Sequence, residues 1–218
     1  MRLAVFASGE GTTFQAILDA IDAGDLPAEV VCCISNTTEA GALERAERDD
    51  VPTKVIPPSS FDAPAPFGEA LLDTLETHSA SFVALAGYMQ KIPPNVVDEY
   101  RGRMTNIHPA FLPAFGGKGM YGMHVHRAVI DYGVHWSGAT VHLVDEEYDH
   151  GPIVLQEPVP VYADDTPDEL ADRVQDVEHR LYPEALRLFA EDRVRRDGRT
   201  VWIDDPDHPR RSAPDAST

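Results

Sequence analysis

Hydrophobic residues open the chain as a short continuous run. Arg2–Ala7 is apolar after its first residue and too short for a helix, so it reads as a buried strand. Apolar spacing then widens, and Phe14–Ala23 reads as a helix. Val30–Ser35 is a second strand, rich in β-branched residues. Ala40–Asp49 has helical composition, and Lys54–Ile56 reads as a short third strand. Pro57–Pro66 carries four prolines and is expected to be a loop. Phe67–His78 follows as a helix, Phe82–Leu85 as a fourth strand, and Pro93–Tyr100 as a short helix opened by Pro93-Pro94. Such strand–helix alternation predicts an α/β protein with a mostly parallel, doubly wound sheet and helices on both faces.

The pattern changes in the second half. Met104–His108 reads as a strand, followed by a long loop to about Met123. His126–Tyr132 is expected to be helical. Trp136–Val144 and Ile153–Val161 read as strands joined by the acidic turn Asp145–Asp149, which predicts an antiparallel C-terminal portion. Thr166-Pro167-Asp168-Glu169 has the capping-box pattern: a hydroxyl cap, proline at the first helical position and Glu169 three residues on. Leu170, Val174, Val177, Leu181, Ala185 and Leu188 then recur at helical spacing. Arg199–Ile203 is expected as a last strand. A single domain over residues 1–203 is predicted, with a polar tail at 204–218 expected to be disordered.

Composition narrows the function classes. The longest apolar runs, near Val30–Ile34 and Phe82–Ala86, fall far short of the roughly 18 residues that span a bilayer. The first apolar run ends at Ser8-Gly9-Glu10-Gly11, too early for a signal peptide, so a cytoplasmic protein is expected. Cys32 and Cys33 are adjacent, which disfavours a mutual disulfide and lacks zinc-site spacing; they read as small buried hydrophobes. Against 37 acidic residues stand 18 basic ones, of which only Lys54, Lys91 and Lys118 are lysine, for a net charge of −19. That excess disfavours nucleic acid and anionic membranes as partners, because both demand positive charge along the contact.

Four segments carry candidate chemistry. Ser8-Gly9-Glu10-Gly11-Thr12-Thr13 lies between a strand and a helix. It is either a tight connecting turn or a phosphate site built from free N–H groups and two hydroxyls; the three-glycine dinucleotide fingerprint is incomplete, its third position falling on Phe14. Asn106 and His108 are two apart in a strand and share a face, and Pro109 puts them at its C-terminal end. They are either a hydrogen-bonded pair without chemistry or an amide and imidazole that polarise a carbonyl and stabilise an oxyanion. Asp145–Asp149 is by pattern a solvated acidic turn. Glu178, four residues after Val174, sits either at the rim of the core or in a cleft. His124 and His126 are two apart in the long loop without a third well-placed ligand, so no metal site is expected.

Together these segments resemble the short, folate-dependent glycinamide ribonucleotide formyltransferases over about residues 2–190. The resemblance rests on Phe6–Thr12, Ala86-Gly87-Tyr88-Met89, Asn106–Phe115 with its Asn-x-His-Pro and Leu-Pro, Ser137–His142, Asp149–Ile153, and Glu178-His179 with Tyr182-Pro183. It implies a Rossmann-like formyltransferase fold and transfer of the formyl group of 10-formyltetrahydrofolate, as co-substrate and without metal, to the amine of glycinamide ribonucleotide. It further implies that Gly11, Thr12 and Thr13 hold the substrate phosphate, while Gln175, Asp176, Val177 and Glu178 help bind the ribonucleotide. Met89, Gln90, Lys91 and Ile92, with Asn106 and the Asp145, Glu146, Glu147, Tyr148 and Asp149 loop, would line the folate pocket. Asn106, His108 and Asp149 would be the catalytic group, with Asp149 favouring the charged imidazole. Several positions depart from the family pattern: Thr12-Thr13 replace Ser-Asn, Gln90-Lys91 replace Arg and an apolar residue, and Gly116–Gly122 replaces a Pro-Gly loop.

Two relatives in chemistry fit less well. Methionyl-tRNA formyltransferases carry an added RNA-binding domain, for which about 25 residues after the last helix leave no room, and −19 opposes tRNA. Formyltetrahydrofolate hydrolase, which carries an added N-terminal regulatory domain, stays as an alternative, as does a non-catalytic nucleotide-binding module. The implied partners are small molecules, and the chain is expected to be a monomer or homodimer. The acidic excess reads either as adaptation to high salt, where screening suppresses self-repulsion, or as that of a merely acidic cytosolic enzyme; on the first reading salt stabilises the fold. Melting temperature should therefore climb from low to molar KCl; equal stability at both ends rejects that adaptation.

Overall fold

A computed structural model of the chain describes residues 1–204; the tail at 205–218 lies outside the described residues. The first half alternates β1 (Arg2–Phe6), α1 (Thr12–Asp22), β2 (Glu29–Ser35), α2 (Gly41–Arg48), β3 (Thr53–Val55), α3 (Pro64–Thr77), β4 (Phe82–Leu85) and α4 (Pro94–Glu99). The second half adds β5 (Met104–His108), α5 (Met123–Tyr132), β6 (Trp136–Leu143), β7 (Ile153–Pro160), α6 (Pro167–Ala190), β8 (Val194–Asp197) and β9 (Thr200–Ile203). One seven-stranded sheet runs in the order β3-β2-β1-β4-β5-β6-β7, and β8-β9 form a separate hairpin. Pairing is parallel from β3 to β5 and antiparallel for β5-β6 and β6-β7, as the change of pattern in the sequence predicted.

Strand alternation builds two cores. Leu3 and Val5 face one side of the sheet, packing with Phe14 and Ile17 of α1, Val125 and Val129 of α5, and the apolar stripe of α6. Ala4 and Phe6 face the other, with Phe67, Leu71 and Leu75 of α3 and Val96 of α4. Both faces of β1 are covered, which is why its sequence is a continuous apolar run. Cys32 and Cys33 are buried free thiols, pushed up to about 12 by burial, one on each core.

Three elements differ from their sequence patterns. The Pro57–Pro66 segment is not all loop: a 3-10 turn occupies Pro58–Ser60, and α3 starts at Pro64, where proline suits the first helical turn. α5 starts at Met123 rather than His126, so His124 and His126 are helical. β8 is unforeseen; its Val-Arg-Arg-Asp is too polar to read as a strand, but it pairs with β9, whose Ile203 is buried in the main core. The capping box of α6 forms as its pattern requires: Glu169 N–H donates to Thr166 Oγ1 and Thr166 N–H donates to Glu169 Oε2.

α6 is tied to β5 by one buried group. The Tyr182 hydroxyl donates to the Thr105 carbonyl at 3.0 Å, and its side chain is fully buried. Tyr182→Phe should therefore lower the unfolding free energy by about 1–2 kcal/mol. A denaturant melt checks this, and an unchanged midpoint would mean the bond contributes nothing net.

Candidate active site

The strand order reverses between β1 and β4: β2 lies on one side of β1, and β4 on the other. In open α/β sheets ligands bind in the crevice outside such a point. Here the crevice is joined by Ser8. Its N–H donates to the Gly87 carbonyl at 3.1 Å, its hydroxyl donates to Asn36 Oδ1 at 2.5 Å, and the same oxygen accepts the Met89 N–H at 2.8 Å. One hydroxyl thus fixes the Ser8–Thr13 turn to the Met89–Ile92 segment.

Above this edge opens a cavity of about 790 Å³. Its lining includes Thr13, Met89, Gln90, Lys91, Ile92, Asn106, His108, Asp145, Glu147, Tyr148, Asp149, Gln175 and Glu178. The remaining residues singled out from the sequence stand back from it. Gly11 is buried with φ +74, and a Cβ there would meet Ala42 at 2.7 Å, so only glycine fits. Thr12 accepts a hydrogen bond from Gln175 Nε2 at 3.0 Å, joining the turn to α6. Val177 is buried in the core, Asp176 is exposed, and Glu146 pairs with Arg101. Along α6, Asp168, Asp172, Gln175 and Glu178 form one polar stripe on the cavity because they recur every three or four residues.

Asn106, His108 and Asp149 converge on the cavity wall. Asn106 Nδ2 lies 3.5 Å and His108 Nδ1 3.5 Å from Asp149 Oδ1. Sequence reasoning passed over His142. The antiparallel register sets it directly opposite Asn106 on β6, with Asn106 Nδ2 at 3.1 Å from its Nε2. Its Nδ1 lies 2.8 Å from the Leu143 carbonyl, and its Nε2 also lies 3.7 Å from Asp149 Oδ1. The signal lay in the Thr140-x-His142 spacing, but it names a face only once the partner strand is known. On the same strand Thr140 Oγ1 accepts the Leu112 N–H at 3.1 Å and donates to the Ala110 carbonyl at 2.7 Å, holding the loop after His108. His126 also lines the cavity; burial, then nearby His108, lower its pKa to about 4, and its Nδ1 has no hydrogen-bond partner.

Burial alone would raise the Asp149 carboxyl, but His142, His108 and the Gly117 N–H at 2.9 Å outweigh it and hold Asp149 below the usual carboxylate range. At His108 the pull of Asp149 is in the expected direction but is not the largest influence. Burial dominates and lowers its pKa; Asp149 and the Phe115 carbonyl, 2.8 Å from Nε2, pull the other way without prevailing. Each ring nitrogen nonetheless faces an oxygen acceptor, and the neutral ring satisfies only one, so the site is shaped for the imidazolium while favouring imidazole before ligand arrives. Among the described residues no group of side chains is arranged to hold a metal ion, and no helix is long and apolar enough to cross a membrane.

Fold and cavity together define an open α/β protein with a ligand site at the C-terminal edge of its parallel strands. More particularly, the chain belongs to the formyl transferase family, whose profile matches residues 1–186. It is 43% identical to the chloroplastic phosphoribosylglycinamide formyltransferase of Arabidopsis thaliana over 89% of this chain. It spans 67% of that protein and 64% of its Vigna unguiculata counterpart. The Escherichia coli phosphoribosylglycinamide formyltransferase is 35% identical, with 94% of each chain covered. The glycinamide ribonucleotide transformylase 1 structure from Symbiobacterium toebii superposes with a TM-score of 0.89 at 40% identity, again covering 94% of each chain.

Burial pushes the Glu178 carboxyl up to about 8. Its folded pKa exceeds its unfolded one, so the native state binds the proton more tightly. Stability from this group is full below about pH 4.5 and falls as pH rises toward 8. Glu178→Gln should flatten that decline and raise the melting temperature at pH 8 relative to wild type. Parallel melts at pH 5 and pH 8 check it; an equal change at both pH values contradicts the shift.

Proposed function

We propose that this chain transfers the formyl group of 10-formyltetrahydrofolate to the amine of glycinamide ribonucleotide, with residues 1–203 acting as one catalytic unit. The convergence of Asn106, His108 and Asp149 on one cavity, in a chain of this family, carries the reading. A cavity of this size suits two small-molecule substrates. Met89 and Tyr148 expose apolar surface at its folate end, which fits a flat heteroaromatic ring, and the Gly11–Thr13 turn offers α1 N–H groups to a phosphate.

The amine nitrogen attacks the formyl carbon, and a C–N bond forms as the carbonyl electron pair moves to oxygen. The Asn106 amide nitrogen, 3.1 Å from His142 Nε2 and 3.5 Å from Asp149 Oδ1, exchanges its long contact with Asp149 for the developing oxyanion. That negative charge, with the Asp149 carboxylate, favours a proton on His108, taken from the attacking amine, and the positive ring then stabilises the oxyanion by its charge. The attacking nitrogen gives up a proton, N10 of the folate receives one, and the C–N10 bond breaks. Asp149 and His108 are placed to pass that proton through a bound water.

Turnover of 10-formyltetrahydrofolate should require glycinamide ribonucleotide. His108→Ala should lower kcat about 10²–10⁴-fold and Asn106→Ala about 10²–10³-fold when assayed well below their melting temperatures. Folate turnover without the ribonucleotide indicates a hydrolase instead, and full activity in His108→Ala removes the histidine from the chemistry.

A further inference from the structure

Cations are scarce in this chain, and their placement is uneven. It has fifteen arginines and three lysines, yet the cavity lining contains no arginine and two of the lysines, Lys91 and Lys118. The same lining carries five carboxylates, Asp145, Glu147, Asp149, Asp168 and Asp172, beside Glu178, which burial keeps largely protonated at neutral pH. On the proposed function both substrates are anionic, one through a phosphate and one through carboxylates. An anion entering a cavity with that excess, in a chain of net charge −19, meets repulsion unless a cation offsets it.

The two lysines differ in what holds them. Lys91 lies over the Tyr148 ring, 5.5 Å from its centroid, so it belongs to the folate end. The Gly11–Thr13 turn has no comparable cation. Arg45 is near it, but its Nε donates to the Glu10 carbonyl at 2.8 Å and another guanidinium nitrogen to Gln15 Oε1 at 3.1 Å, so it braces the turn. Lys118 is exposed and makes no ion pair among the described residues. Its backbone is nonetheless anchored to the catalytic group. Phe115 accepts from His108, the Gly117 N–H donates to Asp149, and a Cβ on Gly116 would lie 3.2 Å from the Asp149 Cβ. Gly117 and Gly119 flank Lys118 with φ of +96 and +91, a backbone that other residues rarely adopt. The loop therefore hugs Asp149 up to Gly117 and then presents a single unpaired ammonium at the cavity.

Resting on the proposed function, we infer that Lys118 is an anion-binding residue of this cavity that neutralises the phosphate of the ribonucleotide, complementing a turn that supplies only neutral donors. The folate carboxylates share the same chemistry and are the other possible source of the anion.

Lys118→Gln should raise KM for the ribonucleotide about tenfold or more, with kcat changed far less, and Lys118→Arg should recover most of the loss. Added KCl should raise the wild-type KM more steeply than that of Lys118→Gln, since screening weakens only a charged contact. A rise confined to KM for the formylfolate assigns the cation to the carboxylates and upholds its anion-binding role. Unchanged values for both substrates overturn the inference, as does a loss that arginine does not recover and that leaves the salt slope unaltered. Stabilisation of the unliganded protein by inorganic phosphate is measured alongside. If wild type fails to turn over the ribonucleotide, the proposed function fails, while weaker phosphate stabilisation in Lys118→Gln still upholds the lysine; equal stabilisation, or none in either protein, overturns it.

Discussion

A carboxylate that is 11% exposed must be surrounded by donors, and Asp149 sets that demand for the whole site. Its partners come from separate parts of the chain: Asn106 and His108 from β5, His142 from β6 and the Gly117 N–H from the loop between β5 and α5. The antiparallel β5-β6 register, with Asn106 opposite His142, brings the side chains together. Thr140, opposite His108, then braces the loop that returns to Asp149. Satisfying one buried charge thus fixes the wall of the cavity.

The same charge also acts on His108. Two acceptors favour its protonated form, while burial opposes it and prevails, so the ring's pKa is lowered. The wider electrostatics follow a related logic. Arg45 is committed to the Glu10 carbonyl and Arg173 to Asp165, whereas Lys91 and Lys118 border the cavity.

Much of the frame was legible from residue pattern. β1 is an unbroken apolar run because helices cover both its faces, and the start of α6 is written in Thr166, Pro167 and Glu169 because a capping box is a local contact. Local pattern failed where a distant partner decides. Val194–Asp197 becomes a strand only by pairing with Thr200–Ile203, and the start of α5 at Met123 puts His126 into the core, where its spacing from His124 gives no hint of burial. Gly11, Asp176 and Val177, grouped with the ligand contacts by resemblance, are not part of the cavity lining: Gly11 and Val177 are buried and Asp176 is exposed elsewhere.

The sequence by itself determined the order of strands and helices through α6, the shared face of Asn106 and His108, the glycine turn before α1 and the acid excess, because each depends on composition or on neighbours a few residues apart. Only the tertiary structure decided that His142 meets Asn106, that Ser8 joins the turn to Met89, and that two of three lysines border one cavity. Those facts depend on strand register and on which strands become neighbours, and both are set by packing across the whole sheet.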